Sequence, residues 1–204
     1  MGRGALLAWT VIFAGTLLWS GIAPKDRLTW VLEVAPAVIG FVVLAATYRR
    51  FPLTPLLYWL ILLHSIILMI GGHYTYAEVP FFDGLLESSR NNYDKVGHFA
   101  QGFVPALIAR EVTIRLDVIR GEGWRFFFIV SFCLGLSAFY ELIEWWVALL
   151  SEEAAEAFLG TQGYVWDTQS DMGYALFGAL AALLMLRRWH DRQLRQHAPV
   201  RGRE

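Results

Sequence analysis

A chain of 204 residues is long enough for one compact domain, but 56% of it is hydrophobic and only 17% is charged, a balance unlike that of a water-soluble domain. Lys and Arg number 17 against 18 Asp and Glu, so no overall charge excess points to nucleic acid as a partner. Cys133 is the only cysteine, which excludes an intrachain disulfide.

The apolar residues gather into six runs over 4–23, 30–48, 53–71, 96–114, 124–149 and 170–186, close to the roughly twenty residues that carry a helix across a bilayer. The first, "ALLAWTVIFAGTLLWSGIA", imitates a signal peptide at Gly21-Ile22-Ala23. It is longer than a signal core and Pro24 would follow the cut, so it reads as an uncleaved helix. "APKDR" separates runs one and two, and "RRFPLTP" runs two and three. A polar loop over 72–95 precedes run four, "RLDVIRGEGWR" run five, and "SEEAAEAFLGTQGYVWD" run six. After Arg187 an Arg-rich tail reads as a frayed, solvated extension. The expected organisation is one six-helix transmembrane domain over 1–190 and a basic cytoplasmic tail over 191–204.

Lys and Arg in the short loops set the orientation of such a bundle. Arg3, Arg49, Arg50, Arg110, Arg115, Arg120, Arg125 and the tail arginines fall on one side, against Lys25, Arg27, Arg90 and Lys95 on the other. The expectation is an all-α, polytopic protein of the bacterial inner membrane with both termini cytoplasmic. The acidic residues Glu78, Asp83, Glu87, Glu152, Glu153 and Glu156 fall on the outer side; the last three read as a solvated face.

Three ionisable pairs recur near that outer boundary, Asp94/His98, Glu141/Glu144 and Asp167/Asp171. Run four opens with Asp94, Lys95 and His98 in "YDKVGHFAQG", run five ends with Glu141 and Glu144 in "FYELIEWW", and run six opens with Asp167 and Asp171 in "VWDTQSDMGYALFGA". Spacings of three and four put each pair on one helix face. His73 in "GGHYTYAE" adds an imidazole at the end of run three, with Glu78 beyond it and His64 deeper. An ionisable residue at mid-span costs about 2.5–3.5 kcal/mol on the insertion scale, so these side chains should face the bundle interior. Carboxylates with one or two imidazoles suit a divalent cation. The candidate ligands are His73, Asp94, His98, Glu141, Glu144, Asp167 and Asp171. Glu141, Glu144, His98 and Lys95 are the candidate catalytic groups, with Lys95 placed to bind an anionic head group. Structural roles stand beside these. Asp94 and Asp167 suit helix N-termini, Lys95 suits an ion pair with Asp94 or Glu144, and His64 suits a satisfied interior position. No nucleotide-binding loop, dinucleotide fingerprint, nucleophile elbow or HExxH spacing occurs.

At "YDKVGHFAQGFVPALIARE", "SAFYELIEWWVALLSEEAAEAFLGTQGYVWDTQSDM" and "GGHYTYAEVP" the chain resembles the YjdF-like inner membrane proteins of bacteria, a family of unassigned function. The resemblance runs from the first span to the sixth. A more distant likeness is to VanZ-like membrane proteins, which tend to carry a D-K-x-x-H entry to one helix, an acidic or amide pair on a later one, and an Asp pair before a small-residue helix. Asp94, Lys95, His98, Glu141, Glu144, Asp167, Asp171 and "GYALFGALAA" occupy those roles here, with Glu/Glu where VanZ-like chains often have Glu/Gln. The likeness implies a multi-pass protein of the cell envelope.

The leading expectation is a metal-assisted envelope enzyme acting on a lipid or lipid-linked head group. The partners it implies are membrane lipids and a lipid-linked or small polar ligand; the pattern sets no oligomeric state. A transporter or binding protein for a cation or small polar solute is the rival, and a structural membrane subunit the third reading. Spans one and two carry almost no polar residues, and "FFFIVSFCLGL" in span five is apolar, which favours a one-sided site.

Overall fold

The structure is a computed structural model, and it describes residues 1–76, 78–82, 91–150 and 165–196. Asp83, Glu87, Arg90, Glu152, Glu153, Glu156 and the tail beyond residue 196 lie outside the described residues. Seven helices and no strand occur among the described residues. They are α1 (Arg3–Ser20), α2 (Arg27–Thr47), α3 (Pro55–Tyr74), α4 (Tyr93–Arg115), α5 (Glu122–Ala148), α6 (Asp167–Met185) and α7 (Arg187–Leu194).

Local chemistry sets several of these ends. Asp26 caps α2, its carboxylate accepting from the Thr29 amide at 2.7 Å; that bond holds its carboxyl below the ordinary range. Pro55 opens α3 at a position whose amide would have no helical partner. The same helix stops where Thr75 turns left-handed, at φ 57°. The Tyr76 amide then bonds back to the Gly71 carbonyl at 2.8 Å, and the Tyr76 ring lies over Gly71 so closely that any Cβ there would collide with it.

Each apolar run of the sequence becomes one helix, but the helices do not share one composition. Four of them, α1, α2, α3 and α5, are long and apolar enough to cross a membrane, and α6 joined to α7 through a 59° bend makes a fifth. The expected count of six is therefore not reached on length and composition, and α4 is the exception. It carries Asp94 and Lys95 at one end and Arg110, Glu111 and Arg115 at the other. The reason is its position. α4 packs against α3, α5 and α6, and Val104, Ala106 and Leu107 in its middle are 3%, 0% and 0% exposed. A helix wrapped by protein need not be lipophilic on every side.

The tightest seam joins α4 to α6. A Cβ on Gly102 would overlap the Ala175 carbonyl, and one on Gly178 would overlap the Phe99 carbonyl. Small residues let helix backbones approach in lipid, where dispersion rather than the hydrophobic effect holds helices together. Ala175, Ala179 and Ala182 continue the seam at 0% exposure, whereas Gly173 faces open space. On the far side of the bundle Trp9, Phe13 and Phe41 stack, and the Trp9 indole donates to the Tyr58 carbonyl at 2.7 Å.

The end of α4 remote from Asp94 holds a buried polar knot. Glu111, 0% exposed, accepts from the Thr54 amide at 3.0 Å, the Thr54 hydroxyl at 2.8 Å and Arg115 at 2.8 Å. His190 sits 3.0 Å away through Nε2 and 3.1 Å from Arg110 through Nδ1. Donation from Arg110 to Nδ1 leaves an Nε2–H for Glu111. The tail after Arg187 is therefore not a frayed extension at its start. α7 runs through the expected boundary at 190, pinned by His190, by the Arg110–Asp191 ion pair at 2.5 Å and by Gln193 on the Leu56 amide at 2.9 Å.

Leucine at Gly178 or Gly102 must push α4 and α6 apart, at a cost of about 1–3 kcal/mol or more. Both variants should give less folded protein and a lower thermal midpoint in detergent, while Gly173→Leu should match the parent. Equal midpoints for all three would remove the seam from the account.

Candidate functional site

The site is built where the first turns of α4 and α6 meet the last turns of α5. Tyr93 begins α4, three residues before the apolar run, so Asp94 and Lys95 belong to the first helical turn rather than to the loop. Lys95 is only 8% exposed. Its ammonium donates to Asp167 Oδ1 and to Asp171 Oδ1, both at 2.7 Å, and Asp94 Oδ2 lies at 3.4 Å. Three carboxylates around one buried ammonium occupy the side chain that the sequence offered to an anionic head group. Glu144 is not among these three partners. Asp94 and Asp167 are not the capping residues, which are Asn92 and Trp166. They lie in the first turns of α4 and α6, where the helix dipole favours negative charge.

His98 stands one turn further along α4. Its Nδ1 lies 3.1 Å from the Gln101 side-chain oxygen, a geometry in which Nδ1–H donates and Nε2 keeps its lone pair. Nε2 is 3.8 Å from Glu141 Oε1 and 3.9 Å from Asp171 Oδ2. Glu141 Oε1 is buried and has no hydrogen-bond partner, although the Glu141 side chain is only 8% exposed. A buried carboxylate oxygen left in this state is costly.

The expected metal ligands thus separate into groups. Ligand atoms of His98, Glu141 and Asp171 all lie within 4.8 Å of one another, as do those of Asp94, Asp167 and Asp171. The Lys95 ammonium already stands among the second trio, so that position has its cation. Among the described residues the first trio meets a protein cation only through the Lys95 bond to Asp171 Oδ1. Metal–ligand bonds of about 2.0–2.2 Å put tetrahedral ligand atoms roughly 3.4 Å apart, so the observed 3.8 and 3.9 Å require only slight closure. Gln101 supplies the outer hydrogen bond that fixes the imidazole of a metal-binding His. Glu144 lines the same cavity without joining either trio. His73 is not brought here. Its ring packs on Trp19 at 4.8 Å and its Nδ1 faces the Ser20 carbonyl at 2.9 Å, which commits it to the α1–α3 contact. Glu78 pairs with Lys25.

Beneath the trio opens a cavity of about 540 Å³. Its polar end includes a residue absent from the sequence expectations, Glu33 of α2, which is 6% exposed. Glu33 accepts from the Tyr140 hydroxyl at 2.8 Å, and the Tyr76 phenol lies close by in the same wall. Tyr140 in turn places its ring edge-on to His98, 6.5 Å between centroids. The signal for Glu33 was its presence as a lone carboxylate in "TWVLEVAPAVIG"; no spacing on its own helix discloses its partners. The other end of the cavity is apolar, with Ile39, Leu68 and Leu136 in its wall and His64 among them. His64 Nε2 is buried without a partner, so this residue is not the satisfied interior histidine expected. Among the described residues, six carboxylate residues and no Lys or Arg line the cavity.

Removing one partner from a buried ion pair costs about 3–5 kcal/mol. Lys95→Met should therefore abolish or sharply lower folded yield. Glu141→Gln removes a charge whose Oε1 has no partner, and its thermal midpoint in metal-free buffer should equal or exceed that of the parent. A Glu141→Gln protein as damaged as Lys95→Met would show that Glu141 holds the fold rather than a site.

The family model described as "Predicted membrane protein (DUF2238)" matches residues 5–192. Inner membrane protein YjdF of Escherichia coli (strain K12) is 53% identical over 189 residues, which cover 91% of this chain and 90% of that protein. No solved structure matches. Neither match speaks for the VanZ-like likeness. With the match spanning all seven helices but the ends of α1 and α7, the chain belongs to the YjdF-like family of predicted membrane proteins.

Proposed function

We propose that this protein is an envelope enzyme of the inner membrane that uses a divalent cation, held by His98, Glu141 and Asp171, on a lipid or lipid-linked head group. The observation that carries the reading is Glu141 Oε1, buried and unpartnered beside the free face of the His98 imidazole. A cation there satisfies both groups and offsets the repulsion between Glu141 and Asp171. One imidazole with two carboxylates suits Zn²⁺ or Mn²⁺ better than the all-oxygen coordination of Ca²⁺. Such an ion polarises a phosphoryl oxygen or activates water, and Glu144 is the carboxylate in the same cavity available to take a proton. Lys95 acts as a positioning residue, because it fixes Asp171 through the other carboxylate oxygen.

The transporter reading gains less. Polar groups do occur at both ends of α4, yet the fully buried Ala106 and Leu107 and nearly buried Val104 lie between them. The proposed topology keeps six spans, with α4 as a protein-enclosed span, both termini cytoplasmic and the cavity on the outer side. Its support is the arginine asymmetry.

Metal analysis of detergent-purified protein tests the cation. The parent should carry close to one Zn²⁺ or Mn²⁺ per chain after dialysis, and Glu141→Gln and His98→Ala should each lose most of it. Metal-free parent protein after incubation with both ions, or undiminished metal in the variants, would overturn the reading. Reporter fusions after Arg50 and Arg120 should report the cytoplasm, and fusions after Arg90 and Glu156 the outside. An external signal at Arg120 would overturn the topology.

A further inference from the structure

The cavity is open on its flank. Ile39 of α2 and Phe139 of α5 both line it, and they are 62% and 51% exposed. So much exposure at two cavity-lining residues on facing helices fits an opening between them. Each residue lies within its helix rather than at an end, so the opening faces the hydrocarbon of the membrane, not the water above it. α2 and α5 share no extended packing; among the described residues the Tyr140–Glu33 hydrogen bond joins them above the gap. Gly40 lines the cavity beside Ile39, and a Cβ placed on it meets nothing within 4 Å. The cavity is also long. His64 lies ten residues from Tyr74 at the outer end of α3, roughly 15 Å of helix, and both His64 and Tyr76 are in the wall. A compartment of this shape, polar at one end, apolar at the other and open sideways to lipid, suits an amphiphile better than a water-soluble solute.

The polar end specifies the head group. The His98–Glu141–Asp171 trio has room for one cation, but Glu33 and Glu144 lie outside that trio and line the cavity without an Arg or Lys beside them. Glu33 is held by the Tyr140 hydroxyl, which donates to it at 2.8 Å, with the Tyr76 phenol in the same wall. Two carboxylates and two phenol rings form an acceptor-rich wall for a primary ammonium, which brings three donors. A phosphate, by contrast, would be repelled by every carboxylate here except through the cation. We infer that the cavity takes an aminophospholipid, entering between α2 and α5, with its ammonium at Glu33 and Glu144, its phosphate toward the His98–Glu141–Asp171 trio and one chain along the apolar wall toward His64. The placement of the phosphate rests on the proposed cation; the ammonium and the chain rest on other residues.

Native mass spectrometry of protein released from mixed micelles tests this, with phosphatidylethanolamine, phosphatidylcholine and phosphatidylglycerol offered in equal amounts. Replacement of a charge-assisted hydrogen bond commonly changes affinity by about tenfold. The parent should retain phosphatidylethanolamine over each of the other two lipids by about that factor. The Glu33→Gln/Glu144→Gln double variant, whose amide oxygen at 33 still accepts from Tyr140, should lose the preference. Gly40→Trp should lower retention of all three by obstructing the gap. Equal retention of the three lipids by the parent, a preference for phosphatidylglycerol or phosphatidylcholine, or an unchanged preference in the double variant would overturn the inference. Metal content measured on the same samples separates the two readings. An ethanolamine preference in metal-free parent protein sinks the cation and keeps the lipid, whereas bound metal without lipid preference does the reverse.

Discussion

Lys95 is an ammonium ion in a place that water scarcely reaches, and it is tolerable only because Asp94, Asp167 and Asp171 surround it. Two of those carboxylates come from α6, so the pairing requires α4 and α6 to be close. Gly102 and Gly178 provide that closeness by letting backbone touch backbone. The order of dependence is clear. Small residues set the helix spacing, the spacing brings Asp167 and Asp171 to Lys95, and the ammonium makes it possible to bury three acids together. Once Asp171 is held through Oδ1, its Oδ2 is turned toward His98 and Glu141. The candidate cation position is a by-product of how the ion-pair knot is tied.

The molecule has a similar knot at the other end of α4, built with opposite economy. Glu111 is saturated, with bonds from Thr54, Arg115 and His190, although Arg115 Nε is itself buried without a partner. The cluster around Lys95 and His98 leaves Glu141 Oε1 without a partner and opens onto a cavity. One end of α4 therefore reads as a clasp that docks α7, and the other as a place built to receive something. The contrast lies between the two carboxylates, Glu111 saturated and Glu141 Oε1 not, rather than in composition, because both ends combine acids, bases and one imidazole.

That contrast explains what could be read from the chain. The helices were legible because apolar runs of membrane length announce them, and the three ionisable pairs were legible because spacings of three and four fall on one face. The small-residue face of α6 was legible for the same reason, and it packs on α4. Partnerships across helices were not. Nothing in "YDKVGHFAQG" says whether Lys95 will meet Glu144 or the aspartates of α6, since that depends on the rotation of two helices set by Gly102 and Gly178. Glu33 stands alone on its helix, so its link to Tyr140 and Tyr76 has no periodic signature. His190 was hidden among arginines that the topology rule had already explained, and α4 was taken for an ordinary span because its charges sit at its ends.

Every step from the ion-pair knot to the proposed chemistry passes through one point between His98, Glu141 and Asp171. An anomalous difference map from crystals of the protein grown with Mn²⁺ examines that point without an assay or a substrate. The account predicts one strong peak within bonding distance of His98 Nε2, Glu141 Oε1 and Asp171 Oδ2, with the Lys95 ammonium still among its aspartates. A peak among Asp94, Asp167 and Asp171 with Lys95 displaced, or no peak in the cavity at all, would contradict it.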